Sequence, residues 1–145
     1  MYKRIVLAYD GTEPGQQALL DCQEIAQWSQ AELTILAVVP YPLASVGTEG
    51  TLYNEDMQEI EERRYQGILD AGVRRLAEAG LSARGEVVLG DAVSEIAQCA
   101  RRLKADLIVV GHRHLDGWAA RWWRGSVSKA LIEQAPCSVL VVITQ

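Results

Sequence analysis

Short apolar runs and helix-period segments alternate along the whole chain. Ile5-Val6-Leu7-Ala8 is an unbroken apolar run, the pattern of a strand covered on both faces. Asp10-Gly11-Thr12 interrupts it. Thr12 or Glu13 can cap a helix with Pro14 in its first turn, where a missing N–H costs nothing. Ala18, Leu19, Cys22, Ile25 and Ala26 then recur at helical spacing. Leu33 to Val39 predicts a second buried strand, stopped by Pro40 and Pro42. Residues 40–53 follow neither period, and their prolines and glycines mark a loop.

From Asn54 to Ala79 the period is helical again, with Met57, Ile60, Ile68, Leu69, Val73 and Leu76 along one stripe. Acidic residues lead this segment and basic ones follow, which suits the helix dipole and reads as a solvated face. Gly80 ends it. Ala83 to Leu89 predicts a weaker strand. Gly90-Asp91 then caps a helix whose Val93, Ile96, Ala97, Ala100 and Leu103 fit a 3.6 period. Asp106 to Val110 predicts the fourth strand, and Gly125 to Gln134 a short helix ended by Ala135-Pro136. Ser138 to Ile143 (SVLVVI) predicts the fifth strand. Repeated crossovers between apolar strands predict an α/β fold: an open five-stranded parallel sheet with helices on both faces. No repeat, low-complexity tract or linker divides the chain, so residues 1–145 read as a single domain.

Composition narrows the function classes. The net charge of −5 argues against a general nucleic-acid binder, which would need a basic face. No run of about 18 apolar residues exists, so no membrane span is expected. The chain leads directly into a strand pattern without the h-region of a signal peptide, so a cytoplasmic location is the expectation. Cys22, Cys99 and Cys137 are odd in number and widely spaced, which reads as buried small hydrophobes rather than disulfides or a metal site.

Chemistry concentrates in Gly111 to Ser128, GHRHLDGWAARWWRGSVS. It holds both His residues and three of the four Trp, and Arg113, Arg121 and Arg124 outweigh Asp116 within an acidic chain. Strand, glycine-marked loop, helix N-terminus is an arrangement that binds phosphate, because orphan amides and a partial positive charge meet there. Open parallel sheets bind ligands beyond the carboxyl ends of their strands, where the strand order reverses. The first predicted helix opens beside Asp10 and Glu13, two carboxylates that repel a phosphate. The last opens at Gly125-Ser126 behind Arg124, with no acid nearby. A phosphate therefore belongs at Gly125-Ser126. Asp10 either faces a group with donors, such as a sugar hydroxyl, a base amino group or a metal, or is only a turn residue.

Other features have two readings each. His112-x-His114 is a metal pair or two solvent- or ligand-facing imidazoles. Trp118, Trp122 and Trp123 stack on a base or pack on one helical face. No G-x-x-x-x-G-K-[ST], G-x-S-x-G or H-E-x-x-H is present, so binding is favoured over catalysis. Slow hydrolysis of a bound triphosphate would need little beyond positioned cations and a water. The apolar last strand would be an exposed edge, and pairing with its copy in a second chain would make a two-fold homodimer.

The opening RIVLAYDGTEPGQQAL, the strand DLIVVG and the ending GSVSKALIEQAPCSVLVV resemble the universal stress protein family over essentially the whole chain. That resemblance implies strand order 3-2-1-4-5, dimers, and a nucleotide-binding pattern G-x2-G-x9-G-[S/T] after the fourth strand that holds ATP. Mg²⁺ or Mn²⁺ would be bound through the phosphates. By similarity, Ala8 and Asp10 lie near the nucleoside and Val38 and Val110 beside the base. Gly111, Gly125, Ser126, Val127 and Ser128 surround ribose and phosphates. Two departures are visible: His114 stands at the second glycine, and ten residues separate it from Gly125. His112, Arg113, His114, Arg121 and Arg124 add cationic or donor groups that can compensate on a polyphosphate.

Overall fold

The computed structural model describes residues 1–40, 55–113 and 127–144. Five parallel strands form one sheet: β1 (Arg4–Ala8), β2 (Glu32–Val39), β3 (Ala83–Leu89), β4 (Leu107–Arg113) and β5 (Ser138–Thr144). Their order is β3-β2-β1-β4-β5. Among the described residues four helices accompany them: α1 (Glu13–Ser29), α2 (Glu55–Glu78), α3 (Ala92–Leu103) and α4 (Val127–Gln134).

Alternation along the central strands sorts the core into two layers, because successive side chains leave opposite faces of a sheet. Ile5, Leu7, Leu33, Ile35 and Val109 join Leu19 and Cys22 of α1 and Leu69 and Leu76 of α2 on one face. Val6, Leu36, Ile108 and Val110 join Ile96 of α3 and Leu131 of α4 on the other. β1 is therefore apolar at every turn of its pleat, as its unbroken run predicts.

Local chemistry fixes the helix starts. The Thr12 hydroxyl accepts from the Gly15 amide at 3.3 Å, with Pro14 in the first turn of α1. The Asp91 carboxylate accepts from the Ser94 amide at 3.0 Å and caps α3. Both helices end on a non-glycine residue in the left-handed region, Gln30 (φ 58°) and Lys104 (φ 54°).

Two expectations change. The fourth strand does not stop at Val110. It runs through Gly111, His112 and Arg113, which pair with Val142, Ile143 and Thr144. β5 itself runs to Thr144, one residue beyond the predicted end, and gives the extension a partner. The stripe predicted on α2 is buried only in its rear half: Leu69 and Leu76 are covered, while Met57 and Ile60 remain 49% and 62% exposed. A helix of 24 residues is about 36 Å long, whereas a seven-residue strand spans only about 23 Å. The front of α2 therefore overhangs the carboxyl edge of the sheet.

Candidate functional site

The strand order reverses between β1 and β4, so the crevice beyond their carboxyl ends is the place where such a sheet offers a ligand site. Three residues assigned to the nucleoside side share this edge. Ala8 pairs with Val110 on β4 and with Leu36 on β2, and Val38 lies one pleat further along β2, paired with Val88. All three pack with the layer under α3 and α4. Val110 is buried, while Ala8 and Val38 are half-buried, so the lip of the sheet is floored by small apolar side chains with surface to spare.

Asp10 stands at the next step of the chain. Its Oδ1 accepts from the Thr12 amide at 3.0 Å and from the Thr12 hydroxyl at 2.6 Å. That hydroxyl in turn caps α1, so Asp10 and Thr12 form one hydrogen-bonded turn at a helix N-terminus, where an anion is favoured. Asp10 is exposed, and its Oδ2 accepts no bond among the described residues. Oδ1 is thus committed to the turn, and the turn reading of this residue accounts for that oxygen. Gly15 makes room for the arrangement, since a Cβ there would lie 2.7 Å from Oδ1. Next door, burial raises the Tyr9 phenol above its usual range, with Arg75 opposing the shift and Asp10 adding to it.

Gly111 has a role that the pattern did not reveal. It lies inside β4, and a Cβ on it would run into the backbone carbonyl of Pro14 and come within 2.8 Å of the Gly15 amide. It is a point of close backbone contact between β4 and the first turn of α1. The signal was present in sequence: Gly111 continues the alternation that sends Leu107 and Val109 toward α1. His112, half-buried, continues the series of Ile108 and Val110 toward the opposite face. Arg113 ends β4, and beside it the Thr144 hydroxyl oxygen is buried without a hydrogen-bond partner among the described residues. His114, Arg124, Gly125 and Ser126, with the three tryptophans, lie outside the described residues. Val127 and Ser128 open α4, whose first turn carries no acid.

The remaining chemistry is sparse. Among the described residues, no group of three or more His, Cys, Asp or Glu is arranged to hold a metal, and no helix is long and apolar enough to cross a membrane. Cys22 and Cys99 are buried as expected, while Cys137 is only half-buried. Burial pushes their thiols up, to about 12 for Cys22 and about 11 for Cys99, which opposes nucleophilic use.

Comparison with known proteins agrees with this architecture. The model of the universal stress protein family matches residues 1–142. A universal stress protein of Methanocaldococcus jannaschii is 32% identical over 143 residues, covering 98% of this chain and 82% of its own length. A universal stress protein crystallised with cAMP superposes with a TM-score of 0.71 at 25% identity, over 99% of this chain and 98% of that one. A family member from Arabidopsis thaliana with AMP bound gives a TM-score of 0.71 at 20% identity, over 99% and 92%. Some relatives of this fold thus hold adenine nucleotides. A family match over nearly the whole length, joined to the 3-2-1-4-5 parallel sheet, makes this chain a member of the universal stress protein family.

Proposed function

We propose that this protein binds ATP, or a related adenine nucleotide, at the carboxyl edge of the sheet. It acts as a dimeric, cytoplasmic stress or energy-state regulator rather than as a dedicated enzyme. The observation that carries the reading is the alignment of Ala8, Val38 and Val110 on one face at the reversal of strand order. Small apolar side chains there suit the flat face of a base, and Asp10 Oδ2 suits a ribose hydroxyl. The triphosphate would lie against the opening of α4, on the Gly125-Ser126 amides and the Arg113 and Arg124 guanidiniums, with His114 as a further donor. Val127 and Ser128 would supply the next amides. A divalent cation, Mg²⁺ or Mn²⁺, would neutralise phosphate charge.

The dimer would form through β5, the edge strand beyond β4, where Ile143 is 59% exposed. Continuing the sheet into a second copy would cover that edge. A second reading is favoured by Gly111: its packing against α1 gives the glycine a structural reason of its own, so the fold can persist without a nucleotide, as a dimeric interaction module.

Titration calorimetry with ATP and Mg²⁺ separates the two. The first reading expects saturable heat that is lost in Val38→Trp, which fills the base position, and weakened in Arg124→Ala and Ser126→Ala. No heat and no thermal shift at millimolar ATP would leave only the interaction module. Sedimentation of the parent and of Ile143→Glu tests the dimer, and a monomeric parent at micromolar concentration refutes it.

A further inference from the structure

The opposite end of the sheet carries a feature that the family reading does not use. A cavity of about 500 Å³ opens at the amino ends of β1, β2 and β3, beneath the end of α3. By strand rise it lies about 20 Å from the candidate nucleotide site. Arg4, Arg84, Arg102 and Lys104 line it, against a single acidic lining residue, Glu32. This is a basic mouth on an acidic protein.

The ion pairs leave part of that charge uncommitted. Arg4 lies 3.7 Å from Glu32. Arg102 makes a two-pronged pair with Glu86, at 3.1 and 2.6 Å. Arg84 and Lys104 are exposed and have no acidic partner among the described residues. The negative end of α3 is muted as well: the Lys104 amide donates to the Ala100 and Arg101 carbonyls, and the Ala105 amide donates to Ala100.

The second observation is independent of charge. Thr34 lines the cavity and is the one buried polar residue of the described core, 8% exposed. Its hydroxyl oxygen is not sealed in: it lines the cavity, where solvent or a ligand can reach it. It sits in register between Val6 on β1 and Arg84 on β3, so a hydroxyl donor rises from the floor beside a guanidinium. A hydroxyl on a cavity floor can donate to whatever occupies the cavity.

We propose that this amino-edge cavity is a second ligand site, which takes a small phosphate-bearing anion. Thr34 donates from the floor, Arg84 and Lys104 hold the charge at the rim, and Arg102 stays braced by Glu86. Donors spread over the floor and two walls suit a tetrahedral oxyanion better than a flat carboxylate, which prefers one guanidinium fork.

The test is a titration of ¹⁵N-labelled protein with inorganic pyrophosphate, followed by amide shifts, with citrate at matched ionic strength as the control. The expected result is saturable shifts at Thr34, Arg84, Lys104 and Ala105, larger than with citrate. Loss of one charge-assisted bond is worth roughly a factor of ten, so Arg84→Ala with Lys104→Gly should weaken binding by at least about tenfold. Glycine keeps the left-handed backbone at Lys104, so this pair preserves the fold. Thr34→Val, nearly isosteric, should weaken binding about fivefold or more while leaving the Arg102–Glu86 pair intact. Absence of saturation, shifts confined to Val38 and Val110, equal response to citrate, or unchanged binding in these variants would each overturn the proposal. Because the two edges report through different amides, failure here leaves the nucleotide reading untouched, and the reverse also holds.

Discussion

Gly111→Ala is the sharpest test of how the sheet positions α1. On an open strand the change would help, since alanine loses less backbone entropy on folding, by about 0.5–1 kcal/mol. Here the added methyl meets the carbonyl of Pro14 and lies 2.8 Å from the Gly15 amide. These are backbone atoms of a capped helix start, so no side chain can rotate away. α1 must lift, and with it Ala18, Leu19 and Cys22, all fully buried. Overpacking of this kind costs about 1–3 kcal/mol, and a backbone wall puts it at the upper end. For 145 residues, unfolding entropy near 2.1 cal/mol/K per residue converts about 3 kcal/mol into a Tm drop of about 10 °C.

The assay is thermal unfolding followed by circular dichroism, with Gly67→Ala as the control. Gly67 lies within α2, and a methyl there meets nothing within 4 Å. That change should be neutral or stabilise by up to about 1 kcal/mol. If Gly111→Ala melts within about 2 °C of the parent, a spread no larger than a surface substitution gives, the steric argument fails. So does the claim that this glycine sets the height of α1. If the argument holds, the Asp10–Thr12 turn moves with the helix, and Gly111→Ala should weaken ATP binding even at temperatures where it remains folded.

Three further outcomes are expected. Gln30→Gly should raise stability by about 1 kcal/mol, because glycine relieves the left-handed backbone at the exposed end of α1; an unchanged urea midpoint would refute this. In the native protein a thiol reagent should label Cys137 first, with Cys22 and Cys99 protected by burial until unfolding; equal labelling rates would refute this. The bond from Arg102 holds the Glu86 carboxyl below its usual 4.5, so that pair contributes stability above the unfolded value and loses it as pH falls through the folded one. Arg102→Met should therefore lower the urea midpoint at pH 7, by an amount that shrinks as the pH falls below 4.5, and a constant difference across that range would contradict the linkage.

What the sequence made legible follows from how local each cause is. The cap at Asp91, the bounds of β3 and the apolar pleat of β1 depend on neighbours within a few positions and match the structure. The sequence leaves Thr12 and Glu13 as alternatives for the first cap, and Thr12 takes it. The extension of β4 depends on a partner strand about 30 positions later and was missed. Burial along α2 failed for a similar reason: the periodicity reports a face, not how far the sheet extends beneath it. Ala8, Val38 and Val110 were assigned by resemblance alone, and their convergence on one face is a property of register that no single segment contains. The basic edge was invisible because Arg4, Arg84 and Lys104 are scattered along the chain until the parallel sheet brings three strand starts and a helix end together.

That topology also explains why the carboxyl edge gathers acids. Every described helix starts at the carboxyl edge and ends at the amino edge, so acids that suit helix starts collect on the carboxyl side. α1 has Asp10 and Glu13, α2 has Glu55 and Asp56, and α3 has Asp91 and Glu95. α4 has no acid in its first turn, although helix stability alone would favour one. A helix start left without its acid is the place on this edge where a phosphate is least opposed. Ser128→Asp tests the point, because the two effects of the new carboxylate have opposite signs. It should stabilise the fold by about 0.3–1 kcal/mol through the helix dipole. It should also weaken ATP binding by tenfold or more, while adenosine, lacking phosphate, keeps its affinity. If ATP and adenosine weaken equally, or neither weakens, the phosphates do not lie at α4, and the division of the carboxyl edge into an acidic nucleoside side and an acid-free phosphate side is wrong.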